Sequence, residues 1–87
     1  MKYRPRTLAY MDILRSIRDH PLPPTRVAQA ANIHYPRMAE YLELLEGNKL
    51  VARRIEEGHE LVVITQDGLK VLEDFERVLS RLRPDLA

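Results

Sequence analysis

Cysteine is absent from this 87-residue chain, which excludes a disulfide framework and any thiolate metal site. Glycine is scarce and scattered, at 47, 58 and 68, so there is no glycine-rich loop to cradle a phosphate. No apolar run approaches the roughly 18 residues of a membrane span. The opening MKYRPRT lacks the apolar region of a signal peptide. Metal-ligand spacing is missing too: His20, His34 and His59 fall in three separate segments, none with a second ligand at i+3 or i+4. Glu56 and Glu57 lie together on a turn without a general-acid partner, and Glu73, Asp74 and Glu76 read as a solvated helix face. No nucleophile motif appears. These absences lead to the expectation of a single-domain, soluble, cytoplasmic protein that is not an enzyme and uses no cofactor, metal or small-molecule ligand.

What is present is unevenly spread. The formal net charge is only +1, yet residues 1–37 hold seven basic and two acidic side chains, and residues 38–87 hold seven basic and eleven acidic ones. That split suits a polyanionic partner better than the net charge suggests. Residues 1–6 are half basic, with Lys2, Arg4 and Arg6 around Tyr3 and Pro5. They read either as a frayed terminus or as an arm lying along phosphates, and the arm is weakly favoured.

The chain is organised around TRVAQAANIHYPRMAEYLELLE, residues 25–46. Val27, Ala28 and Ala31 recur at helical spacing, with Thr25 before them as an N-cap. Asn32 suits the left-handed conformation that ends a helix, Ile33 points back inward, and Pro36 opens a second helix. In that helix Met38, Tyr41, Leu42 and Leu45 share a face, leaving His34, Tyr35, Arg37, Glu40 and Leu44 outside it. This is a helix-turn-helix pattern, whose second helix commonly reads bases. Alone, it is equally compatible with an ordinary helical hairpin in a small all-α core.

The flanking residues decide. Leu8 to about Asp19 forms a first helix, capped by Thr7, with Tyr10, Ile13, Leu14 and Ile17 as its core stripe. His20-Pro21-Leu22-Pro23-Pro24 ends it, with Leu22 anchoring the linker. Gly47-Asn48 stops the third helix. Residues 50–56 and 60–65 are aliphatic and β-branched around Glu57-Gly58, a hairpin of two strands. Thr65 then caps a helix from about Gln66 to Leu82, where Asp67 complements the dipole and Gly68 allows close packing. Leu72, Phe75, Leu79 and Leu82 repeat at coiled-coil spacing, with Leu69, Val71 and Val78 beside them. That helix either packs on the first helix or meets a second subunit, and the dimer is favoured. The expected fold is mainly α (α+β): three helices, a two-stranded wing and a long C-terminal helix. Residues 1–65 would be the DNA-binding unit with its basic arm, and 66–87 a dimerisation helix within the same compact unit.

The order and spacing of T-R-V-A-Q-A-A-N-I-H-Y (25–35), Y-L-E-L-L-E (41–46), L-V (50–51) and V-V-I-T-Q-D-G-L-K-V-L (62–72) resemble the archaeal winged helix-turn-helix family of predicted transcriptional regulators. That family includes small, dimeric, chromatin-associated proteins with a C-terminal coiled coil. The resemblance spans roughly residues 8–82. It implies a homodimer bound to double-stranded DNA, nucleoid-associated, with a recognition helix in the major groove and a flanking wing. Carried over, His34, Tyr35, Arg37 and Tyr41 fall on that helix, Tyr41 more as a packing residue. Thr25 and Arg26 fall at a helix start where phosphate is commonly held.

The acidic wing tip, Glu56-Glu57-Gly58-His59-Glu60, departs from the pattern, since phosphates would repel it. Arg53 and Arg54 occupy opposite faces of one strand. If Val62 and Ile64 face the core, Arg53 joins them and Arg54 stands outside as the better phosphate candidate. The acidic wing and low net charge also fit a protein–protein adaptor without direct DNA binding. Arg37 and the basic N-terminal half favour DNA.

Overall fold

The computed structural model describes residues 5–82. It comprises α1 (Arg6–Ser16), α2 (Pro24–Ala31), α3 (Tyr35–Gly47), β1 (Val51–Glu56), β2 (His59–Ile64) and α4 (Gln66–Leu82). The order is that expected of a winged helix, and the assembly is mainly helical.

Two helices begin earlier than the threonines suggest. α1 is preceded by Pro5 and α2 by Pro23, neither with a side-chain cap. The carbonyl of Pro5 accepts from Ala9 N–H at 3.1 Å, and that of Pro23 from Val27 N–H at 3.0 Å. Thr7 and Thr25 therefore sit inside the first turns rather than at the caps. Pro24 explains the second case: its fixed φ and missing N–H suit the first helical position. α1 also stops at Ser16, short of Asp19. The Ser16 hydroxyl donates to Ile13 O at 2.6 Å, a local bond that competes with helix continuation.

The turn between α2 and α3 follows its expected chemistry. Asn32 is left-handed, with φ 57° and ψ 49°, and Ile33 N–H returns to Ala28 O at 3.0 Å. Ile33 is buried, and Pro36 lies in the first turn of α3. At the other end of α3 the left-handed residue is Lys49, with φ 62°, one place beyond the expected Gly47-Asn48 stop.

The hairpin pairs Arg53 with Val62 and Arg54 with Leu61, and turns through Glu57 and Gly58. Both turn residues have positive φ, 51° and 79°, the two-residue turn whose twist matches paired strands. Leu22 does more than anchor its linker. It exchanges both backbone hydrogen bonds with Val62, at 3.2 and 2.7 Å, and so adds a one-residue third strand position along β2. Thr65 fulfils its expected role, its hydroxyl accepting from Gly68 N–H at 2.9 Å and donating to Lys49 O at 2.8 Å. Gly68 is obligatory for size, because a Cβ there would lie 2.0 Å from Leu50 O.

The core joins all four helices and the sheet through Ile13, Leu14, Ile17, Val27, Met38, Leu42, Val62 and Leu72, all essentially inaccessible. Tyr10 of α1 meets Tyr41 of α3 edge to face, ring centres 5.1 Å apart. This contact uses Tyr41 for packing and fixes α3 against α1.

Candidate nucleic-acid interface and helical seam

α3 is held from one side. Met38, Leu42 and Leu45 are buried, and their 3–4 spacing fixes which residues face away. His34, Tyr35, Pro36, Arg37, Glu40, Glu43 and Leu44 are all exposed, Tyr35 at 46%. Thr25 and Arg26 of α2 are exposed as well. A shallow groove separates the starts of the two helices, with Thr25, Gln29, His34 and Tyr35 on its walls. The fold thus brings Thr25, His34 and Tyr35 together. Arg6 lies apart from them in the first turn of α1, and Lys2 and Arg4 lie outside the described residues.

The arginines divide by whether a carboxylate holds them. Arg53 contacts Glu60 at 2.6 Å and Glu46 of α3 at 3.3 Å. Its guanidinium is raised above the usual value, first by the Glu60 hydrogen bond and, against desolvation, by the charge of Glu46. This bridge ties the wing to α3. Arg54 lies on the other strand face, as expected from the register, but contacts Glu56 at 2.8 Å. Arg15 reaches Glu76 of α4 at 3.0 Å and Asp12 at 2.9 Å, and Arg18 also binds Glu76. Burial pushes the Glu76 carboxyl up, but hydrogen bonds and charge from Arg15 and Arg18 outweigh it and hold the group below its usual range. Glu76 is therefore a clamp between α1 and α4 and not part of a solvated face. By contrast, Arg6, Arg26 and Arg37 form no ion pair among the described residues. The basic surplus of the N-terminal half is thus smaller than its residue count.

α4 corrects the expected seam. Leu72 is fully buried within the chain, so it belongs to the core and cannot be offered to a partner. Phe75 packs against the same core, and Leu79 is half-buried. The large side chains that remain most exposed on α4 are Val78 at 55% and Leu82 at 72%. Val71 and Phe75, each packed on the core along one side, continue these into a stripe at 71, 75, 78 and 82, which half-buried Leu79 borders. Its 4, 3, 4 spacing is again that of a coiled coil. The stripe is rotated from the expected one because Leu72 must face α1, where Glu76 is clamped. Sequence periodicity contained both stripes; only the position of α1 separates them.

Among the described residues no cluster of His, Asp or Glu could hold a metal ion, and no polar or charged residue is buried. No described helix is long and apolar enough to cross a membrane.

Comparison with solved structures finds the same arrangement. Sso10a-2, a DNA-binding protein from Sulfolobus solfataricus, is 26% identical with a TM-score of 0.77, over 95% of this chain and 85% of that one. The transcriptional regulator BldR from the same organism is 22% identical with a TM-score of 0.79, over 90% of this chain and 58% of that one. The MepR–DNA complex of Staphylococcus aureus is 21% identical with a TM-score of 0.75, over 85% of this chain and 64% of that one. At these last two identities the likeness is one of fold, and the chain spans less than two thirds of either regulator. No curated protein sequence gives a significant match. A family model described as winged helix-turn-helix matches residues 4–82, nearly the whole chain, and the chain belongs to that family.

Proposed function

We propose that this protein is a double-stranded DNA-binding transcriptional regulator or chromatin-type protein, acting as a homodimer. The observation that carries the reading is the outward side of α3. It stands free of the core and holds Arg37, exposed and in no ion pair among the described residues. An arginine there can donate two parallel hydrogen bonds to guanine O6 and N7. Thr25, Arg26, His34 and Tyr35 flank it for phosphate contact, and the starts of α2 and α3 add backbone N–H groups. Lys2, Arg4 and Arg6 are assigned to phosphate as well. Arg54 is a weaker phosphate contact than its position suggests, since it must first leave Glu56.

Residues 1–65 are assigned to DNA and residues 66–87 to the dimer. The α4 stripe, exposed at Val78 and Leu82 and continued by half-buried Val71 and Phe75, supports the second assignment, because apolar seams at heptad spacing are stabilised by pairing. The likeness to a Sulfolobus DNA-binding protein over most of both chains supports the first. The reading implies a binding protein of the cytoplasm and nucleoid, without a catalytic role.

A second reading is favoured by one specific feature. Carboxylates Glu40 and Glu43 lie exposed on α3, and the wing tip is acidic, which suits a protein–protein adaptor. A gel shift with random-sequence duplex at low salt separates the two. Retarded duplex supports DNA binding; none at any protein concentration, with the protein folded, supports the adaptor.

A further inference from the structure

Glu40 is the feature of α3 that a phosphate-binding account leaves unused. It follows Arg37 by three residues, so the two side chains leave the helix as neighbours on one face. The rise between them is about 4.5 Å, near the roughly 3.4 Å spacing of successive base pairs along a strand. Both are exposed, and neither enters an ion pair among the described residues, with each other or with anything else. Glu46, about two turns further along α3, is held by Arg53 at 3.3 Å and does not compete for Arg37. Glu40 therefore keeps its full accepting capacity beside an arginine that keeps its full donating capacity. Met38, Leu42 and Leu45, buried behind them, fix the rotation of the helix that presents both.

A carboxylate cannot hydrogen-bond a phosphate oxygen, because both only accept. In the major groove the exocyclic amino group of cytosine, N4, is a donor that a carboxylate can take. We infer that Glu40 is a specificity-determining residue that accepts from a cytosine N4, on a base pair next to the guanine read by Arg37. The inference rests on the DNA-binding reading and deepens it: the preferred duplex holds adjacent G·C pairs at the centre of each half-site. The repulsion between Glu40 and the phosphates then acts against every site lacking that cytosine, and discriminates by excluding the alternatives.

The test uses the full chain, with wild type, Glu40→Gln and Glu40→Ala each selected against a duplex library with a randomised core. Selected and point-changed duplexes are then titrated at one fixed salt concentration. Glutamine matches adenine N6 and N7 as glutamate matches cytosine. The expected result is that Glu40→Gln changes preference from cytosine to adenine at one position by about fivefold or more, leaving the others unchanged. Glu40→Ala is expected to lose preference at that position only. Glu40 is exposed and enters no ion pair among the described residues, and unchanged circular dichroism checks that both variants remain folded. Equal tightening of both variants on every duplex would overturn the inference, since Glu40 would then only repel. Failure of the wild type to bind any duplex at low salt would overturn the DNA-binding reading itself, before any substitution is compared.

Discussion

α3 and α4 are the two longest helices of the described chain, 13 and 17 residues, and each gives one face to the same core. They differ in what remains on the other. α3 keeps Arg37 and Glu40, charged and in no ion pair among the described residues, beside exposed Tyr35 and Leu44. α4 has its central charge clamped, Glu76 on Arg15 and Arg18, and beside exposed Lys70, Glu73 and Arg81 it carries the more exposed apolar groups, Val78 and Leu82. A helix whose ionic groups are not already paired can bind a charged ligand without first breaking an internal ion pair, the ligand's own groups offsetting their desolvation. A helix with a bare apolar stripe is stabilised by another of its kind. The difference teaches that each helix's role is set by the residues left after the core and its clamps are satisfied.

The largest expected effect lies on α4. Val78→Glu with Leu82→Glu places charges in the proposed seam and costs dimer association about 4 kcal/mol, seen as a monomer by sedimentation, while the folded monomer stays intact. A surviving dimer would mean that the stripe at 71, 75, 78 and 82 is not the interface. Next is the contrast within that helix: Leu72→Ala removes about 3 kcal/mol from folding stability, whereas Val78→Ala leaves monomer stability within about 0.5 kcal/mol. Urea unfolding of the monomeric background reads both, and equal losses would erase the division between core and seam.

On α3, Arg37→Ala is expected to cost about 2 kcal/mol on a preferred site and much less on scrambled duplex. Equal losses on both, measured at one salt concentration, would make Arg37 a backbone anchor. They would turn the protein toward reading DNA shape. A smaller effect attends the α1–α4 clamp. Glu76→Gln should lower stability by about 0.5–1 kcal/mol at neutral pH, as partly exposed ion pairs do. Because the folded carboxyl is depressed, its contribution is present above the ordinary carboxylate range. It is lost as pH falls through the lower, folded value. The gap between wild type and Glu76→Gln therefore closes in acid, and a gap that persists there would assign the effect to packing. Smallest is Glu56→Gln on the wing, which frees Arg54 and should tighten duplex binding by about 0.5 kcal/mol; no change would leave the wing outside the interface.

Local chemistry was the legible part of this sequence. Asn32, Pro36, the Glu57-Gly58 turn and the Thr65 cap depend on residues near in sequence, and each forms as its residue type dictates; Gly68 was legible as a place for close packing, though the Leu50 carbonyl it meets lies far off in sequence. The strand alternation likewise put Arg53 and Arg54 on opposite faces; which face each takes rested on Val62 facing the core, and the pairing of Arg53 with Val62 settles it. Thr7 and Thr25 misled because a proline stood close before each and began the helix earlier. Contacts between distant residues were not legible. Nothing near Leu22 announces its pairing with Val62, and nothing near Glu76 announces Arg15 and Arg18. Heptad spacing fits Leu72 and its rotated neighbour Val71 equally well, so the choice between stripes required α1 in place. The candidate DNA residues of α2 and α3 could be named from the sequence, but which of the arginines are already occupied by carboxylates could not.

The central claim, that the outward side of α3 meets DNA, is tested most directly by following backbone amide resonances as a short duplex is added at low salt. The expected result is shifts concentrated at Thr25, Arg26 and from His34 to Leu44, with smaller shifts on the wing beside Arg54, and Val78 and Leu82 unmoved. Shifts centred on the wing tip or on the α4 stripe, with α3 silent, would contradict the claim.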